Sequence, residues 1–264
     1  MVIKNLDEQD IIQDKKINYL FLSVLNNKLR IKCKILKSDF CLDSFNYFPI
    51  IDNNVSFRDI FQWHNSSPNR YDHFYTESFS NNFFERRKNF KKFSNAVILG
   101  SSPSNDYFRN MMTFLPRIFF ISDKEINLVI HRNTSNKFRV FIKEILTQKK
   151  IKVKKFIYLD DDFYKFNNSK IPQFFTMAAS AIILNKSLSY IKRDSGLKIY
   201  LSRHNSDCRN LINEGDLKDT LKKKNFMIVD TNNMSVFEQI KIFSRADAII
   251  GPTSSALTNL VFSK

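Results

Sequence analysis

The sequence predicts an α/β protein with parallel strands, on three observations. From Ala96 onward, short apolar runs of strand length alternate with segments of helical spacing. The alternation occurs twice, on either side of Asp194-Ser-Gly196. Gly100 and Gly251, two of only four glycines, each close an apolar run, where a backbone turn is needed. Helical crossovers between parallel strands produce this pattern.

The first set opens with Ala96-Val-Ile-Leu-Gly100, a buried-type strand, and Asp106 to Phe120 follows with helical spacing. Ile126 to His131 is a second strand, Lys137 to Gln148 a helix, and Lys155 to Leu159 a third strand. Phe174 to Arg193 has a long helical pattern. Beyond Gly196, strand Lys198–Leu201 leads to a helix from about Glu214 to Lys224. Strand Met227–Val229 follows, then a helix from Ser235 to Arg245 that opens with a capping box to Glu238. Strand Asp247–Ile250 then runs into Gly251-Pro252 and a new helix start. Residues 1–94 show no comparable pattern and read as an irregular region packed on the first unit, 95–193. Residues 194–264 form the second.

At 264 residues the chain can bury a sizeable core, and 43% hydrophobic with 26% charged residues marks it as globular. The net charge of +16 and the 27 phenylalanines fit a compositional drift of the whole chain. Lysines are scattered, and no aromatic–basic nucleic-acid module is present, so nucleic acid is not the expected partner. A basic surface does suit an anionic membrane face. Cys33, Cys41 and Cys208 have no metal-ligand spacing, and an odd number argues against a disulfide framework. No window reaches the roughly 18 apolar residues of a spanning helix, and the first residues lack a signal-peptide layout. The expected place is the cytoplasm, with peripheral contact at the inner membrane face.

The stretch Ala248 to Phe262 carries the chemistry. A strand delivers a Gly-Pro turn to small hydroxyl residues at a helix start, where free amides and the positive dipole end favour a phosphate. An ordinary N-cap has the same look. Open parallel sheets bind ligands beyond the carboxyl ends of their strands. Gly251, Thr253, Ser254 and Ser255 are therefore candidate phosphate contacts. Arg203 follows a strand end directly and joins them, since arginine grips phosphate through paired donors. Arg209 stands nearby in sequence. Asn213 is the expected helix cap. A rival site is Asp160-Asp-Asp162 after a strand, where carboxylates suit a divalent metal. His64, His73, His131 and His204 show no metal spacing, and no Walker A loop, GxGxxG or Gly-x-Ser-x-Gly elbow exists.

Lys198 to Phe262 resembles the C-terminal part of glycosyltransferase family 61. The matching residues are Leu201-Ser202-Arg203, Arg209, Asn213-Glu214, Phe237-Glu-Gln239-Ile and Gly251-Pro-Thr-Ser-Ser-Ala-Leu-Thr-Asn259-Leu. An upstream family block is echoed by Asp106-Tyr107-Phe108-Arg109-Asn110 and Leu115-Pro116-Arg117-Ile118. The resemblance implies two Rossmann-like lobes of the GT-B glycosyltransferase architecture. A full second lobe is expected to continue past Lys264, so the C-terminal lobe is expected to be incomplete.

The implied reaction is inverting transfer of a sugar from a nucleotide sugar, expected to be UDP-linked, to a surface glycan of capsule or lipopolysaccharide type. No cofactor is expected. Arg203, Arg209, Gly251, Thr253, Ser254, Ser255 and Asn259 would hold the nucleotide sugar, with Ser202, Asn213, Glu214 and Gln239 in support. Asp106 and His204 are the candidate bases. The family motif has His where Thr253 stands, Gly at Ser254, and His and Asp at Arg109 and Thr113. Those departures keep open an inactive relative that binds nucleotide, glycan or a partner transferase; the net charge alone keeps open a basic nucleic-acid-binding protein.

Overall fold

The computed structural model describes residues 17–24, 29–44, 48–51, 54–55, 90–100, 105–191, 196–203 and 211–263. His64, His73, His204, Cys208, Arg209 and the Asp194-Ser part of the junction lie outside them. Among the described residues the chain is mixed α/β, with a nine-stranded sheet and a separate three-stranded sheet.

The large sheet is antiparallel on one side and parallel on the other. β1 (Ile17–Val24) pairs antiparallel with β2 (Leu29–Asp43), which pairs antiparallel with β3 (Phe48–Ile51) and β9 (Phe163–Pro172). β3 also pairs with the short β4 (Asn54–Val55). β5 (Lys91–Ser94) and β6 (Ala96–Ile98) run parallel to successive halves of β9. β7 (Glu125–His131) and β8 (Lys152–Leu159) complete the parallel side. So residues 1–94 are not simply irregular: their described part supplies five strands. β9 is likewise a strand that the sequence pattern does not announce.

Three strands turn at one line. Asn95 and Asn168 have φ of 52° and 43°, and the β2–β9 register shifts between Ser38 and Phe40. Asn168 donates its backbone N–H to Asp39 Oδ1 (2.7 Å) and its side-chain amide to Asn95 Oδ1 (2.6 Å). Asparagine tolerates the left-handed region that this turn demands. Beyond the line, Phe40, Tyr164 and Phe166 share one core with Ile98, Val129, Ile157 and Leu159 of the parallel strands. The sheet thus covers part of its own face.

The opposite face is covered by helices. α1 (Asn136–Gln148) buries Phe138, Phe141, Ile142, Ile145 and Leu146, the spacing of one helical stripe, and Ser135 caps it. α2 (Met177–Ser187), capped by Thr176, is shorter than the pattern over 174–193 suggests. The predicted helix over 106–120 is broken into a short α turn (Tyr107–Arg109), a π turn (Asn110–Phe114) and a 3₁₀ stretch (Leu115–Phe120). Pro116 lacks the N–H that a continuous α-helix would use there, so the ladder shifts register. Arg117, in that stretch, is fully buried. Its guanidinium donates to the carbonyls of Ile98 (3.0 Å), Leu99 and Pro172 (2.7 Å) and stacks on Phe174.

The small sheet is wholly parallel, in the order β11 (Phe226–Val229), β10 (Leu197–Leu201), β12 (Ala246–Ile250). α3 (Glu214–Lys223) joins β10 to β11, and α4 (Val236–Phe243), with the predicted capping box at Ser235 and Glu238, joins β11 to β12. After β12 the chain forms a 3₁₀ helix, Ser255–Phe262, rather than an α-helix from Thr253. Val236, Ile240 and Phe262 enter the core of the large sheet, so the two units pack directly on one another.

Candidate functional site

β10 lies in the centre: the first connection carries the chain from β10 to β11 on one side, and the next carries it from β11 across to β12 on the other. That is a topological switch point, the place where an open parallel sheet leaves a crevice at its carboxyl edge. Ser202-Arg203 and the turn Gly251–Ser255 stand side by side there, since Tyr200 is in register with Ile250.

Gly251 lets them meet. A Cβ built on it would stand 2.8 Å from Leu201 Cβ and 2.9 Å from the Leu201 carbonyl oxygen. Gly251→Ala should therefore push the turn away from β10 and cost about 1–3 kcal/mol. An unchanged urea midpoint for this variant would refute the close approach.

Arg203 Nη1 donates to the Thr253 carbonyl oxygen at 2.8 Å, tying the end of β10 to the turn. Its backbone N–H donates to Glu214 Oε1 at 3.0 Å. Glu214 is buried and also accepts from the Tyr200 hydroxyl (3.1 Å) and from Lys218 Nζ (2.9 Å). Burial alone would raise the Glu214 carboxyl, but hydrogen bonds from Lys218, the Arg203 amide, Ser202 and Tyr200 outweigh it and hold it at about 2. Burial, then the adjoining carboxylate, pushes the Tyr200 hydroxyl up to about 12. Glu214 is thus a fixed anion that positions the Arg203 backbone.

Asn213 occupies the N-cap of α3 but makes no side-chain capping bond, which corrects the expected role. Ser254 also caps without its side chain. Thr253 and Ser255 are exposed, Gly251 and Ser254 half-buried.

Gln239 and Asn259 are buried and bonded to each other, Asn259 Nδ2 donating to Gln239 Oε1 at 3.2 Å. Asn259 Oδ1 accepts from the Tyr107 hydroxyl at 2.8 Å. The upstream block and the C-terminal block, far apart in sequence, therefore touch. Tyr107 was part of that block with no role of its own; no local pattern in one sequence pairs it with Asn259. Asp106, one residue earlier, is half-buried and accepts the Arg109 backbone N–H at Oδ1 (3.1 Å). The units are also joined where Lys137 Nζ donates to the Asn232 carbonyl oxygen and Asn185 Nδ2 to the Val261 carbonyl oxygen (2.7 Å).

The acidic triplet lies at the carboxyl end of β8, on the large sheet. Arg132 Nε holds Asp160 at 3.0 Å and His131 Nε2 holds Asp161 at 3.0 Å, while Asp162 Oδ1 accepts its neighbour's N–H. His131 is buried, its Nδ1 accepts the Asn133 N–H, and burial lowers its basicity. Among the described residues no group of three or more His, Cys, Asp or Glu side chains is placed to hold a metal ion. Cys33 and Cys41 are free thiols. No helix among the described residues is long and apolar enough to cross a membrane.

A family model described as Glycosyltransferase 61 matches residues 71–264, well over half of the chain and all of the described site. No curated protein matches the chain.

Proposed function

We propose a specific sugar transfer for this chain, which belongs to the glycosyltransferase 61 family. The donor is a nucleotide sugar, UDP-linked, and the acceptor a surface glycan, with inversion at the transferred carbon. The observation that supports this most is the pairing of Arg203 with the Thr253 carbonyl at the switch point. It puts a guanidinium beside a turn of small residues where a leaving diphosphate needs positive charge and amide donors.

In this reading Arg203 and the Thr253–Ser255 turn stabilise the diphosphate as the sugar bond breaks. Ser202, Glu214, Gln239 and Asn259 hold those elements in place. Arg209 and His204 belong to the same proposed site by sequence. Asp106 is the proposed base: its carboxylate lies one residue from the Tyr107 contact with Asn259 and would take the acceptor hydroxyl proton. The two units would act as the two lobes of a GT-B enzyme, with the donor on the smaller one. The proposed reaction uses no metal, and Asp160 and Asp162 take no part.

One observation favours a second reading. Thr253, Arg109 and Thr113 stand where the family motif has His, His and Asp. A chain that binds nucleotide or glycan without turnover fits those substitutions. Calorimetry with UDP followed by a donor panel separates the two. Micromolar to millimolar UDP binding with sugar release or transfer supports the enzyme, and binding without either supports the inactive relative. No UDP binding at millimolar concentration overturns both. The proposed place of action is the cytoplasmic side of a membrane, reached through the basic surface.

A further inference from the structure

The carboxyl-edge turns of three strands are joined by one buried polar chain. It begins at the Tyr107 hydroxyl, beyond β6, which donates to Asn259 Oδ1 at 2.8 Å. Asn259, fully buried beyond β12, donates through Nδ2 to the Ala256 carbonyl (3.0 Å) and to Gln239 Oε1 (3.2 Å). Gln239 Nε2 in turn points at the carbonyls of Thr231 (3.3 Å) and Met234 (3.4 Å), in the turn beyond β11. The Tyr107 ring is held independently, against Phe138 at 5.2 Å between centroids.

The segment this chain grips is weakly held by its own backbone. It is a 3₁₀ helix, whose hydrogen bonds are poorer than those of an α-helix, and Ser254 gives it no side-chain cap. The bond from Asn259 to Ala256 fixes its first turn, which follows Gly251–Ser255 directly. Asn259 is oriented in turn by the Tyr107 hydroxyl, because an amide that accepts at Oδ1 cannot flip without losing that bond. We propose that Tyr107 is a positioning residue for the Gly251–Ser255 turn, acting from the large-sheet unit through Asn259. Its link to donor affinity rests on the nucleotide reading above; its link to the turn does not.

Tyr107→Phe isolates the hydroxyl, since the ring keeps its place on Phe138. A buried Asn259 acceptor left without its donor should open the 255–259 segment about tenfold more often. Amide hydrogen exchange on the free protein reads this as selectively faster exchange at residues 255–259. Exchange within about twofold of the wild type there, or acceleration of every slow amide alike, overturns the proposal. UDP calorimetry is the second arm: Tyr107→Phe should weaken binding about fivefold or more. Equal affinity in both proteins overturns the link to donor affinity, as unchanged exchange overturns the link to the turn. If the wild type binds no UDP, the nucleotide reading falls and the exchange arm alone decides Tyr107.

Discussion

Replacing Arg203 with alanine should weaken UDP binding about a hundredfold, beyond easy detection by calorimetry. Two losses combine in that figure. The guanidinium proposed to grip the diphosphate disappears, and the Thr253 carbonyl loses the donor that ties the turn to β10. Lysine should restore only part of the affinity, because one ammonium cannot replace donors held in a fixed planar fork. The side chain is half-exposed, so unfolding free energy should change by less than about 1 kcal/mol. Unchanged UDP affinity in a folded Arg203→Ala protein would mean that the diphosphate sits elsewhere.

The largest stability effect is expected at Glu214. Glutamine can still accept from the Arg203 amide and the Tyr200 hydroxyl, but its amide group then faces Lys218 donor to donor. Glu214→Gln should cost about 2–4 kcal/mol, since it leaves a partly buried ammonium uncompensated. Acid should reveal the same interaction. The folded carboxyl sits at about 2, below its ordinary 4.5, so its stabilising share is full above about pH 4.5 and is lost as pH falls toward 2. Urea midpoints of wild type and Glu214→Gln should therefore differ at neutral pH and converge in acid. Parallel curves down to pH 2 would show that Glu214 is not held as an anion.

Elements with a local cause were legible in the sequence. The capping box at Ser235 and Glu238 marks α4 because both bonding partners lie within one turn, and the apolar runs of β7 and β10 reflect burial between layers. Gly251 was legible as a needed glycine, though not its reason, the contact with Leu201. What could not be read depends on distant partners. β9 carries Lys165 and Asn167 on a solvent-facing side and finds its pairing with β2 only through long-range register. The 3₁₀ form after Ser254 reflects a cap that a serine could have supplied and does not. Asn213 misled for the same reason, as the bond that fixes α3 runs from Arg203 to Glu214. Tyr107 and Asn259, 152 positions apart, meet only in the folded chain.

The line of Asp39, Asn95 and Asn168 has a consequence in time. Its bonds join residues 129 and 73 positions apart, so none of them exists while the chain is being made up to Asn168. β7, α1 and β8 lie between Asn95 and Asn168 and can pair locally as they emerge. β1, β2 and β3 can pair among themselves early, but they cannot join the parallel half until β9 arrives, and closing such distant contacts is slow. Synthesis thus sets an order: a parallel half first, then a late closure that brings Phe166 onto Phe40, leaving a waiting interval in which the Phe40 ring stands open to chaperones.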